Sequence, residues 1–189
     1  MTHQYRPDPF PSLGQAEGLL LLNLAREALA AHFDGRPPRK TDMGILEDLK
    51  MGAFVTLKKG GMLKGCIGRM ESRESLAQTV AQMALAAALV DPRFPPVTKE
   101  ELPHIEIEVT VLGPLVPIRG PEDFRIGKDG LFIVALGRSG VLLPQVAVEN
   151  GWDSLAFLGH VCRKAGLDEG AWEHPHARLC AFAGKVFSS

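Results

Sequence analysis

Along Ile105-Glu106-Ile107-Glu108-Val109-Thr110-Val111-Leu112 the odd positions are apolar and the even positions polar through Thr110. A period of two belongs to a strand with one face in a core and the other toward water, so this segment predicts a half-buried strand of an antiparallel sheet. Elsewhere the period is helical. Leu19, Leu22, Ala25, Ala28 and Leu29 follow Ser12 and Gln15, which have capping-box spacing, and predict a helix to about His32. Ser75 and Gln78 repeat that spacing ahead of Val80, Met83, Ala84, Ala87 and Ala88. The second helix so predicted ends near Leu89, stopped by Asp91-Pro92-Arg93-Phe94-Pro95-Pro96. Asp153 predicts the cap of a third helix through about Lys164, with Gly166 just past its end.

Two hairpins complete the pattern. One joins Ala53–Lys58 to Leu63–Gly68 around Gly60-Gly61, and the other joins Leu131–Leu136 to Val141–Leu143 around Gly137-Arg138-Ser139-Gly140. In the first, a two-residue turn with a regular ladder sets Val55 opposite Cys66 and mixes apolar with polar groups on one face. A three-residue loop, Gly60-Gly61-Met62, pairs Val55 with Ile67, Leu57 with Gly65, Thr56 with Cys66 and Lys58 with Lys64, which separates the faces and is the preferred register. Arg178 to Phe187 predicts a final strand. Hairpins, a two-faced strand and dispersed helices lack regular β-α alternation, so the fold class is α+β, mainly antiparallel sheet with flanking helices. The proline-bearing start reads as an arm over residues 1–14, with a single domain over 15–187.

A chain of 189 residues makes one full domain or two small lobes and buries roughly 70% of its unfolded surface, enough to fold without disulfide or metal. Its 21 basic and 22 acidic residues are spread without a block of one sign, so no electrostatic footprint for nucleic acid stands out. Three cysteines, Cys66, Cys162 and Cys180, form no close pair and read as reduced thiols. Residues 1–7 lack the apolar core of a signal peptide, and the longest apolar run, Met83 to Val90, is too short to span a bilayer. The cytoplasm is the expected location.

The preferred register puts Lys64, Cys66 and Gly68 on one strand face, with Lys58 across from Lys64. Nearby ammonium groups favour a thiolate over a thiol whose reference pKa is about 8.5, which makes Cys66 the candidate nucleophile and Lys64 its electrostatic partner. The competing reading makes Cys66 a small buried hydrophobe, with Gly65 and Gly68 permitting close packing. His32, His104, His160, His174 and His176 are available as bases, but no spacing selects one. Glu106 and Glu108 share a face roughly 7 Å apart and are secondary candidates for acid-base work, against the plainer role of solvating a sheet. His174-Pro175-His176 beside Glu173 is half of a metal site without the further ligands zinc requires, and no metal site is assigned. Gly120 to Gly127-Lys128 has the wrong spacing for a phosphate loop, and Gly137-Arg138-Ser139-Gly140 is explained as a turn.

Leu63-Lys64-Gly65-Cys66-Ile67-Gly68, preceded by Phe54-Val55-Thr56-Leu57-Lys58, closely resembles the hallmark of the AMMECR-one family. The resemblance continues through Asp91–Pro96, Ile105–Val109, Gly140–Ala147, Gly151-Trp152 and Cys162–Leu167, in order over roughly residues 15 to 187. The family pattern usually has arginine where this chain has Lys64, which keeps the charge and loses the planar fork. The resemblance implies an α+β fold of two unequal lobes with a groove between them, built from non-contiguous segments. It adds Thr56, Lys58, Gly65, Gly68, Arg93 and Gln145 as binding candidates. It brings no secure catalytic activity and no known cofactor. In some microbes similar domains are joined to, or encoded beside, a Memo-like domain and a radical-SAM protein, so the resemblance implies those partners in a modification pathway. A noncatalytic adaptor that docks the same partners is the alternative, and nucleic-acid binding ranks below both.

Overall fold

The computed structural model describes Pro9, Phe10 and residues 12–189. Most of the expected arm over residues 1–14 therefore lies outside the described residues. The chain divides into two compact units of non-contiguous sequence, one formed by 10–112 with 185–189 and the other by 113–184 with Pro9.

The first unit is a three-stranded antiparallel sheet in the order β2-β1-β3 with helices on one face. Strand β1 (Ala53–Lys59) lies between β2 (Met62–Arg69) and β3 (Ile105–Leu112). The alternation predicted for β3 is realised as far as Val109, since Ile105, Ile107 and Val109 are buried on the same side as Val55 and Leu57 of β1, whereas Thr110, expected on the water face, is buried as well. Helices α1 (Gln15–Phe33) and α2 (Leu76–Leu89) cover that side with Leu21, Ala25, Leu29, Leu76, Val80 and Ala84. Each large aliphatic side chain so buried contributes about 1.5–3 kcal/mol. Helix α2 starts where its cap predicted, the Ser75 Oγ accepting the Gln78 N–H at 3.2 Å. Helix α1 does not start on a Ser12 cap. Gly14 occupies the cap position, its N–H donating to the Glu17 carboxylate at 2.7 Å, which is the reciprocal half of a capping box.

The hairpin register combines the two alternatives weighed from sequence. The turn has two residues, Gly60 and Gly61, with φ of 56° and 76°, a pair of left-handed conformations that glycine adopts without strain. A bulge between Leu57 and Lys58 then takes up one residue, so that Val55 pairs with Ile67, Thr56 with Cys66 and Leu57 with Gly65. The expected Lys58–Lys64 pairing is not formed. Lys58 faces Leu63, Lys59 faces Met62, and Lys64 is the extra residue in the bulge.

In the second unit β5 (Asp129–Ala135) pairs with β6 (Arg138–Leu142) and with the first part of β7 (Arg178–Ser188), which also pairs with the short β4 (Val116–Pro117). Helices α3 (Pro144–Glu149) and α4 (Ser154–Lys164) close a core of Phe124, Leu131, Ile133, Phe157, Leu158, Val161 and Leu179. Asp153 caps α4 as its sequence predicts, accepting the Ala156 N–H at 2.8 Å. The β5–β6 turn is Leu136-Gly137, not the four-residue loop expected, because Arg138 and Ser139 continue the ladder opposite Ala135 and Val134. Helix α3 was not anticipated, being six residues long with only Pro144 at its first position as a signal. The sheets are antiparallel throughout their described pairings, and the fold is α+β. No described helix is long and apolar enough to cross a membrane.

Candidate functional site

Cys66 is half-buried, whereas Cys162 and Cys180 are fully buried in the second unit. Burial raises the Cys162 thiol pKa, so at neutral pH that residue behaves as part of the core. Cys66 belongs to the sheet face opposite the helices, because it pairs with Thr56, whose neighbours Val55 and Leu57 point into the core. Thr56 pairs in turn with Glu108 of β3. Glu108, Thr56 and Cys66 therefore form one cross-strand row, with adjacent Cβ atoms about 5 Å apart. Within it the Thr56 hydroxyl donates to the Cys66 sulfur at 3.3 Å.

The row extends past the edge strand. Strand β2 has β1 on one side only, so the Cys66 peptide turns its N–H and C=O outward. The Asp91-Pro92-Arg93 turn after α2 meets both: Asp91 Oδ2 accepts the Cys66 N–H at 2.9 Å, and Arg93 Nη2 donates to the Cys66 carbonyl at 3.0 Å. The Asp91 carboxylate, 2% exposed, also receives the Arg93 Nε at 2.9 Å, Nη2 at 2.7 Å and backbone N–H at 3.2 Å. The Arg93 side-chain hydrogen bonds, ahead of the Cys66 amide, hold the Asp91 pKa far below the ordinary carboxylate value. Asp91 reciprocally raises the Arg93 pKa, and the Cys66 side chain adds to that rise. Arg93 lies over the Phe94 ring at 5.3 Å.

Lys64 is not part of this row. The bulge turns it aside, and its Nζ lies 3.1 Å from Glu101 Oε1, which Lys59 also reaches at 3.0 Å. Lys59, the Thr98 N–H and Lys64, in that order, lower the Glu101 pKa from 4.5 to about 2. Arg93, not Lys64, is thus the cation at Cys66. The other lysine, Lys58, pairs with Glu108 Oε2 at 3.4 Å, and Glu106 accepts the Gly61 N–H of the hairpin turn. The two glutamates take separate partners and do not form an acid-base couple with each other.

Both hallmark glycines have packing reasons. A Cβ on Gly65 would lie 2.0 Å from the Ala87 carbonyl oxygen, so Gly65 is where α2 presses on the sheet, on the side away from Cys66. Gly68 lies under the Phe54 ring. Gln145 belongs to the other unit, on α3, where its Oε1 is buried without a hydrogen-bond partner among the described residues. No cluster of three or more metal-ligating side chains occurs among the described residues. Asp91, Glu101 and Thr110 escaped the sequence reading as site residues. Thr110 follows Glu108 on the same face, fully buried, its hydroxyl unpartnered among the described residues. The signals for Asp91 were its place in a proline turn two residues before an arginine and in the Asp91–Pro96 segment that resembles the family pattern.

Comparison with known proteins is consistent along most of the chain. The AMMECR1 family model matches residues 22–187. A protein of Methanothermobacter thermautotrophicus is 39% identical over 190 residues, covering 94% of this chain and 97% of its own. One from Methanosarcina acetivorans is 41% identical over 187 residues, covering 93% and 92%. The crystal structure of an uncharacterized protein from Pyrococcus horikoshii superposes with a TM-score of 0.87 at 34% identity, covering 94% of this chain and 93% of that one.

Proposed function

Because this chain belongs to the AMMECR1 family, we propose that it is an enzyme, or a component of an enzyme system, whose reacting group is the Cys66 thiol. One observation carries this reading: the sulfur of the half-buried Cys66 accepts a hydrogen bond from Thr56 while the peptide of the same residue is held by Asp91 and Arg93. A cysteine with only a packing role needs no hydrogen-bond donor at its sulfur. In the reaction the sulfur lone pair forms a bond to an electrophilic carbon of the substrate. The thiol proton passes to solvent, and the bond to the leaving group breaks with its electron pair. Thr56 holds the sulfur through its hydroxyl, and Arg93 holds the carbonyl of the same residue. The setting is a modification pathway in a reducing cytoplasm, with Memo-like and radical-SAM proteins as partners.

The test is alkylation by limiting iodoacetamide at a series of pH values, read at Cys66 by peptide mass spectrometry. Labelling at neutral pH faster than that of N-acetylcysteine supports the reading, and labelling no faster removes it. A docking role is favoured by a different observation, the exposed apolar hairpin tip formed by Met62 and Leu63. That role predicts that Met62→Ser with Leu63→Ser abolishes co-purification with Memo-like or radical-SAM proteins, while Cys66→Ser leaves it intact.

A further inference from the structure

Arg93 has a guanidinium with five N–H donors. Nε and Nη2 are committed to Asp91 and to the Cys66 carbonyl, Nη1 donates to neither of these among the described residues, and the guanidinium also lies against the Cys66 side chain. The side chain is 48% exposed and its carboxylate partner 2% exposed, so the ion pair is an oriented dipole with its positive end outward. Along the row the order is Arg93, Cys66, Thr56, Glu108: a guanidinium, a thiol, a hydroxyl and a carboxylate. The two ends differ in sign. Glu108, even with Lys58 beside it at 3.4 Å, leaves the far end unsuited to an anion, and Arg93 suits the near one. The same face stays polar beyond the row. Thr110, diagonal to Thr56 on the same face and fully buried, has a hydroxyl without a partner among the described residues.

From this arrangement we infer that the substrate of the Cys66 site is an anionic electrophile, a molecule carrying a carboxylate or similar anion beside its reacting carbon, with Arg93 Nη1 as the group that binds the anion. The inference rests on the thiol reading above and gives it a substrate class. Arg93 thereby has two functions: Nη2 fixes the Cys66 peptide, and Nη1 orients the substrate so that its electrophilic carbon lies over the sulfur.

Two alkylating agents of the same size separate this inference from the reading it rests on. Iodoacetate and iodoacetamide each form an S–C bond and release iodide, and differ in charge. Their rates at Cys66, read by peptide mass spectrometry, are expressed as a ratio and compared with the ratio for N-acetylcysteine in the same buffer. The expected result is a Cys66 ratio about threefold or more above the free-thiol value, the effect of one half-exposed charge pair. It should fall to the free-thiol value in Arg93→Gln and decline with added sodium chloride in the unmutated protein. The salt series keeps the test valid if Arg93→Gln does not fold. A Cys66 ratio equal to the free-thiol value, or one that salt leaves unchanged, overturns the anion site. With a fast absolute iodoacetamide rate, that outcome leaves the thiol reading standing. A Cys66 that neither reagent labels overturns both.

Discussion

The amide of Cys66 donates to the carboxylate of Asp91 at 2.9 Å, across 25 positions of sequence and past the open edge of β2. Arg93 completes the contact by donating to the Cys66 carbonyl at 3.0 Å. Together the two side chains occupy the hydrogen-bonding groups that a neighbouring strand would take, which blunts the edge where it passes the thiol. The same contact couples the turn after α2 to the position of the sulfur, so changes at residue 91 reach the site without touching a substrate.

Replacing Asp91 with Ala leaves the Cys66 N–H and the Arg93 guanidinium without their shared acceptor. The expected loss is about 2–3 kcal/mol of stability, measured by urea denaturation, together with faster hydrogen exchange at the Cys66 amide. Unchanged exchange at Cys66 in a folded Asp91→Ala protein would show that the clasp does not hold this strand.

Thr56→Val keeps the shape of the side chain and removes the donor to Cys66. Alkylation of Cys66 at neutral pH should slow about two- to fivefold, the worth of one hydrogen bond of roughly 0.5–1 kcal/mol. Equal rates in the two proteins would assign the Thr56 hydroxyl no part in activating the sulfur.

Gly65→Ala brings a methyl group to within 2.0 Å of the Ala87 carbonyl oxygen, a backbone atom that moves only if α2 moves. A destabilisation of about 1–3 kcal/mol or more is expected from this overpacking, read as a lower urea midpoint. A midpoint matching that of the parent protein would mean that the helix shifts freely on the sheet.

Leu136 has φ of 52° in the β5–β6 turn and is 71% exposed, so it bears the cost of a left-handed backbone with little burial in return. Asn is the residue such turns favour, and Leu136→Asn should stabilise the protein by about 0.5–1 kcal/mol. A thermal midpoint that falls in this variant would indicate that the leucine side chain has a packing role.

Acid should weaken the first unit in a defined window. Glu101 has its pKa lowered from 4.5 to about 2 by Lys59, the Thr98 N–H and Lys64, and Asp91 is depressed by Arg93 and the Cys66 amide. A carboxylate depressed on folding contributes stability that is fully present above its unfolded pKa and is lost as pH falls through the folded value. The Glu101 contribution is therefore complete above about pH 4.5 and disappears toward about pH 2. Urea midpoints taken across that range should fall less steeply in Glu101→Gln than in the parent, and parallel curves would exclude the contribution.

Local patterns in the chain carried most of the architecture. The alternation from Ile105 to Thr110 set the strand and its buried face, Ser75 and Asp153 set two helix starts, and Gly60-Gly61 set the first turn, because each of these is decided by residues within a few positions of one another. The pairing of Thr56 with Cys66 also followed from sequence, since only that register separates apolar from polar faces. The bulge was not legible. A two-residue turn with one extra residue and a three-residue loop give the same pairing beyond Leu57, and they differ only in where Lys64 goes. That difference decides which cation stands at the thiol. Lys64, adjacent in sequence, turns to Glu101, while Arg93 arrives from the turn after α2 and is anchored by a buried carboxylate. Side-chain period and turn chemistry act over short separations. The electrostatic surroundings of Cys66 are set by contacts 25 and 27 positions away, which exist only once α2 has packed on the sheet.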